Sequence, residues 1–174
     1  MRISTIALLL LLLASGCARQ AEELLPIPAS IKGASRIADV EVTIGRGAAA
    51  AVAAMDAKQG ANGVSFAKLL DQSVREAAEA AGLTSGRALK LVLEVDRVQT
   101  ASAAGALVGR DDRLEGSAYV RDAATGDSLG QLYVSIDRNN GGFISALSRI
   151  GSVRESLARQ FGAEVAAALS ARKR

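Results

Sequence analysis

Residues 113–137 read RLEGSAYVRDAATGDSLGQLYVSID. Leu114, Gly116, Ala118 and Val120 fall on one face of an extended segment, and Gly130, Leu132, Val134 and Ile136 on one face of the next. That period of two marks half-buried strands. Ala123-Ala124-Thr125-Gly126-Asp127 between them is turn chemistry. The segment is therefore expected to be an antiparallel hairpin with one apolar face. A turn centred near Gly126 would set Tyr119 and Tyr133 opposite each other on the polar face as a cross-strand pair.

The same alternation recurs upstream. In residues 88–99, ALKLVLEVDRVQ, the side chains of Leu89, Leu91, Leu93 and Val95 point inward. Val98 is out of phase, which predicts a bulge near Arg97. Residues 37–44, IADVEVTI, alternate as a further strand. Helical spacing replaces alternation after Ser65, a good N-cap: Phe66, Leu69, Leu70, Ser73, Val74, Ala77, Ala78 and Ala81 share a face, and Gly82 closes the helix. At the other end, Ser152-Val153-Arg154-Glu155 reads as a capping box, and Val153, Leu157, Phe161, Val165 and Leu169 run down one face of the helix it opens. Residues 45–64 fit either a short helix over 48–57 or a loop.

These elements add up to an α+β fold, a two-layer sandwich of about four strands packed by two amphipathic helices in the order β-α-β-β-β-α. The expected organisation is a signal peptide over 1–16, a lipidated Cys and tether over 17–36, and a single domain over 37–174. Pro26 and Pro28 keep the tether extended, while Leu24, Leu25 and Ile27 give it something to dock with.

Composition removes whole classes of chemistry. The 174 residues contain no His, which excludes Ser-His-Asp and Cys-His catalysis and His-ligated metals. One Cys excludes an intramolecular disulfide and a Cys-cluster metal site. Aromatics are 3% with no Trp, so the core must be aliphatic. The formal charge of +3 comes without a basic block before the closing Arg172-Lys173-Arg174, so nucleic acid is not an expected partner.

The chain opens MRISTIALLLLLLASGCARQ. Arg2 precedes an apolar run that Arg19 ends too early for a spanning helix of about 20 residues, the pattern of a secretory signal peptide. Ala14-Ser15-Gly16-Cys17 resembles the lipobox of bacterial lipoproteins, departing from it at Ala14, where that family more often has Leu. The resemblance implies diacylglycerol on the Cys17 thiol, cleavage after Gly16, and an acyl chain such as palmitate on the new amino terminus. Two or more chains anchor stably, at about 0.8 kcal/mol per buried CH₂. Ala18, rather than Asp, implies transfer to the outer membrane, facing the periplasm. The competing readings are an ordinary cleaved signal peptide with a coincidental Cys, and an uncleaved anchor.

Other candidate sites are weak. Gly45-Arg46-Gly47-Ala48-Ala49-Ala50 imitates a dinucleotide fingerprint, but the second strand that motif needs within about 30 residues is replaced by helix. Asp111 and Asp112 with Glu115 offer carboxylates for a divalent cation, although solvated loop charges explain them as well. Ser145 and Ser148 have no base partner in view, and Lys68 and Lys90 are too weakly specified to make a Ser-Lys dyad. The expectation is no catalytic, cofactor or metal residue.

Residues 91–169 are similar to a group of uncharacterised bacterial envelope lipoproteins. The likeness rests on Val92–Val95, the stretch Gly105-Ala-Leu-Val-Gly109, Gly116-Ser-Ala-Tyr-Val120, Asp122-Ala-Ala-Thr-Gly126, Gly141-Gly142 and the closing helix. The element order also resembles the anticodon-binding-like α/β domain of the TolB amino-terminal domain and of the curli-secretion and penicillin-binding-protein-activator lipoproteins. What this implies is a non-enzymatic, lipid-anchored periplasmic protein that works through an envelope protein partner or self-association, in envelope assembly or transport. The alternative is an auxiliary lipoprotein of an ABC-type lipid or solute exporter that binds an apolar ligand. Tyr119 and Tyr133 are the candidate partner surface, because Tyr suits interfaces and the chain has only 2 Tyr; a plain solvated face is the competing reading.

Overall fold

The computed structural model describes residues 19–60, 63–101, 111–138 and 153–170. It is an α+β fold: a mixed five-stranded sheet in the order β1-β5-β4-β3-β2, with helices packed on one face. The strands are β1 (Arg19–Leu25), β2 (Ser35–Ile44), β3 (Arg87–Gln99), β4 (Asp112–Asp122) and β5 (Ser128–Arg138). The helices are α1 (Arg46–Ala57), α2 (Phe66–Ala80) and α3 (Val153–Ser170).

The centre of the sheet follows the alternation. Leu89, Leu91, Leu93 and Val95 of β3, Leu114, Ala118 and Val120 of β4, and Leu132, Val134 and Ile136 of β5 are buried under the helices. The expected irregularity near Arg97 is present: the β3–β4 register shifts between Val95 and Arg97, and that extra residue returns Val98 to the core.

Helix α2 starts at Ser65, whose hydroxyl accepts the Lys68 N–H at 3.3 Å. It ends in a Schellman arrangement: Leu83 N–H donates to Ala78 O and Gly82 N–H to Glu79 O, with Gly82 at φ 76°. Phe66, Leu70 and Val74 of α2 meet Leu157, Phe161, Val165 and Leu169 of α3 in one apolar cluster over the sheet. Ser152 of the expected capping box lies outside the described residues.

The fold departs from expectation at two places. Residues 19–36 were expected to be a tether; instead Arg19–Leu25 pairs antiparallel with β5 as a fifth strand. Ile27 and Ile31 behind it are buried, and Gly33 N–H donates to Leu169 O at the end of α3. Leu24 and Leu25, the other two apolar side chains expected to dock, stay exposed. The strand was hidden in the sequence because Glu23 occupies an inward position. Its carboxylate meets Lys32 Nζ and accepts the Ile27 N–H, so the charge is satisfied where an apolar residue would be sought.

The second departure lies between β2 and β3, which are parallel and joined through both α1 and α2. Residues 46–57, read as helix or loop, are helical, with Ala48, Val52 and Met55 buried on the side packed against β3. Asp56 joins the helical layer together: its Oδ1 accepts the Phe66 N–H at 2.8 Å and lies 3.4 Å from Arg154 of α3.

Candidate contact surface on the open sheet face

Among the described residues the helices lie on one side of the sheet, and no helix covers the other face. Glu94, Glu115, Tyr119, Gln131, Tyr133, Ser135 and Asp137 are half-buried there, Asp96 and Arg121 are exposed, and Ser117 is buried between them. Tyr119 and Tyr133 both lie on this face, as expected, but not directly opposite each other. The register pairs Tyr119 with Gln131 and Ser117 with Tyr133, so the rings are diagonal neighbours, at the about 7–8 Å spacing of such positions.

The correction comes from the turn. Asp122 Oδ1 accepts the N–H groups of Ala124 and Thr125 at 2.8 and 2.9 Å, and Asp122 N–H donates to Asp127 O. This tightens the turn onto residues 123–127, pairs Arg121 with Ser128, and leaves a register shift between Val120 and Arg121. An expectation centred on Gly126 misplaced β5 by two residues relative to β4.

The surroundings of the tyrosines are acidic. Tyr119 Oη donates to Glu94 Oε2 at 3.4 Å. Partial desolvation by the surrounding side chains, then Glu94 and Glu115, raises the pKa of the Asp96 carboxyl. Burial, then Glu115 and Asp96, raises the Tyr133 hydroxyl, with Arg97 opposing. Cations are spaced round this centre: Arg113 pairs with Asp137 and lies 3.6 Å from Glu115, and Arg97 is 3.8 Å from Glu115. Toward β2, Lys90 sits 2.9 Å from Glu41 and 3.5 Å from Asp39, and its ammonium pKa is raised chiefly by Glu41. This last group was not singled out from sequence, because only the parallel pairing of β2 with β3 brings it together. Chemically the face offers two aromatic rings and a ring of hydrogen-bond acceptors on a rigid sheet, which suits contact with another molecule.

The remaining sequence candidates are separated. Asp112 is buried beneath the sheet, where its Oδ1 accepts the Ala101 N–H at 2.8 Å, whereas Glu115 faces outward to the arginines. Among the described residues no group of three or more metal-ligating side chains converges. Lys68 is on α2 and Lys90 on the opposite face; Ser145 and Ser148 lie outside the described residues. The glycines of Gly45-Arg46-Gly47 serve packing. A Cβ on Gly45 would stand 2.9 Å from Val95 O, and one on Gly47 would stand 2.5 Å from Asp96 O, so small residues let α1 begin against the β3 backbone. Cys17 and the cleavage position after Gly16 precede the described residues. No described helix is long and apolar enough to cross a membrane.

No family model and no curated protein matches the sequence. The fold is shared with solved structures. The PelC dodecamer from Paraburkholderia phytofirmans superposes with a TM-score of 0.54 at 13% identity, covering 89% of this chain and 99% of that one. A Xanthomonas campestris protein of the family designated DUF330 gives 0.52 at 15% identity, covering 81% of this chain and 86% of that one. At these identities the likeness is one of fold.

Proposed function

We propose that this chain is a lipid-anchored protein of the bacterial envelope, without enzymatic activity, that works through protein–protein contacts and associates with copies of itself in envelope assembly or transport. The observation that carries the reading is the shared fold over 99% of PelC, a protein that assembles as a dodecamer. The open face adds independent support: both tyrosines of the chain stand on it, outside the core. Anchoring rests on Cys17 at the end of Ala14-Ser15-Gly16, and Ala18 after it favours the outer membrane, facing the periplasm.

Two measurements test the two halves. Wild type should incorporate labelled palmitate, and Cys17→Ser should accumulate as the unprocessed precursor; a mature protein that takes up no label overturns anchoring. For association, light scattering after size exclusion should give a mass of several chains. Tyr119→Ala with Tyr133→Ala should keep the circular dichroism spectrum and lower that mass or abolish cross-linking. A wild-type monomer at all concentrations overturns self-association. A folded double variant that assembles like wild type removes the tyrosine face from the reading.

A further inference from the structure

The topology gives the sheet two distinct ends. At one end β1 begins while β5 finishes, since Arg19 pairs with Ile136, and β4 begins beside them, since Asp112 pairs with Arg138. The last residues of β3 reach the same end, because Gln99 pairs with Arg113. Helix α3 begins there too: Thr100 and Ala101 share a depression with Val153 and Arg154. At the opposite end lie the turn over residues 123–127 and the close of α3, where Gly33 meets Leu169.

Only Ala18 separates Cys17 from the first residue of β1. Two consecutive Cα–Cα steps of 3.8 Å keep the Cys17 Cα within about 8 Å of the Arg19 Cα, whatever conformation Ala18 takes. A flexible tether of 20 residues would instead average about 25 Å and leave every orientation open. A diacylglyceryl group has its glycerol at the headgroup level, a layer about 6 Å deep on each side of the hydrocarbon. The link is therefore about as short as the layer is thick.

We infer that the end of the sheet where β1 and α3 begin rests against the phospholipid surface, and that the β4–β5 turn points away from it. The inference rests on the acylation of Cys17 proposed above. Strand β4 has 11 residues, which at about 3.3 Å each puts the turn about 35 Å farther from the bilayer than the anchored end. The open face with its tyrosines then stands along the membrane normal, exposed sideways, where neighbouring copies anchored in the same leaflet can meet it.

The test uses the full-length acylated lipoprotein in phosphatidylethanolamine–phosphatidylglycerol vesicles carrying a headgroup spin label. Cys17 is the only native thiol, and acylation blocks it, so Thr100→Cys and Ala124→Cys each accept one fluorophore at an exposed position. The label at position 100 should be quenched several-fold more than that at 124. Ten Gly/Ser residues inserted between Ala18 and Arg19 should erase the contrast. Mass spectrometry of the Cys17 peptide separates the possible failures. An unmodified Cys17 overturns the anchoring reading and the orientation with it. An acylated Cys17 with equal quenching at both positions, or stronger quenching at 124, overturns the orientation alone. So does protection of position 100 by cross-linking to a second copy rather than by lipid.

Discussion

The Asp122 carboxylate accepts two N–H groups of the turn and faces the Arg87 guanidinium at 2.6 Å. The Arg87 bond first, and then the Thr125 and Ala124 N–H bonds, hold its pKa down at about 2, against 3.8 for an ordinary Asp. A carboxylate with a lowered folded pKa stabilises the fold fully above its unfolded pKa, and that contribution fades as pH falls from about 4 through about 2. Asp122→Asn should therefore melt below wild type at pH 7. The gap in melting temperature should narrow progressively between pH 4 and pH 2. Because Asp122 also shapes the turn that sets the Tyr119–Tyr133 diagonal, the variant should shift the amide resonances of residues 123–128 at neutral pH. A constant gap in melting temperature across that range would mean that the charge of Asp122 contributes nothing.

At the scale of elements, the helical layer is held by the contact between α2 and α3. Phe161 is fully buried, and truncating it to Ala should cost about 3–5 kcal/mol in urea denaturation. Its neighbour Gly162 faces the α2 backbone, where an added Cβ would stand 2.5 Å from Ser73 O and 2.8 Å from Ser73 C. Two effects compete in Gly162→Ala. Helix propensity favours Ala by about 1 kcal/mol, while forcing packed backbones apart costs about 1–3 kcal/mol. The atoms in the way are main-chain and cannot rotate aside, so Gly162→Ala should lower the melting temperature. A rise would show that α2 and α3 slide apart freely. This contact was only half legible in the sequence. The 3.6-residue period gave the buried face of α3 correctly, but it carries no sign that Gly162 sits against the α2 backbone.

For the whole molecule, the consequential element is β1. A soluble chain beginning at Arg19 should be more stable in urea than one beginning at Ser35. The shorter chain loses the burial of Ile27 and Ile31, about 1.5–3 kcal/mol each, and uncovers the pairing edge of β5, a template for aggregation. Equal stabilities would return residues 19–34 to the role of a tether. They would also remove the ground for the proposed orientation on a membrane, since that proposal depends on β1 being paired.

The sequence by itself determined whatever depends on local period and local chemistry. Strands β3, β4 and β5 announce themselves because their buried side chains recur every second residue. The α2 face follows from the 3.6-residue repeat, and the bulge at Arg97 from one residue out of phase. Tertiary structure decided what depends on neighbours distant in the chain. β1 is a strand because β5 offers it an edge and Lys32 neutralises its inward Glu23. The Lys90–Glu41–Asp39 group exists because β2 and β3 run parallel. Arg154, read as part of a cap, is 5% exposed because Asp56 and the Val64 carbonyl receive its guanidinium. The physical reason is common to all three: each charged side chain is held by a partner outside its own element, and the partner's position is a property of the assembled fold.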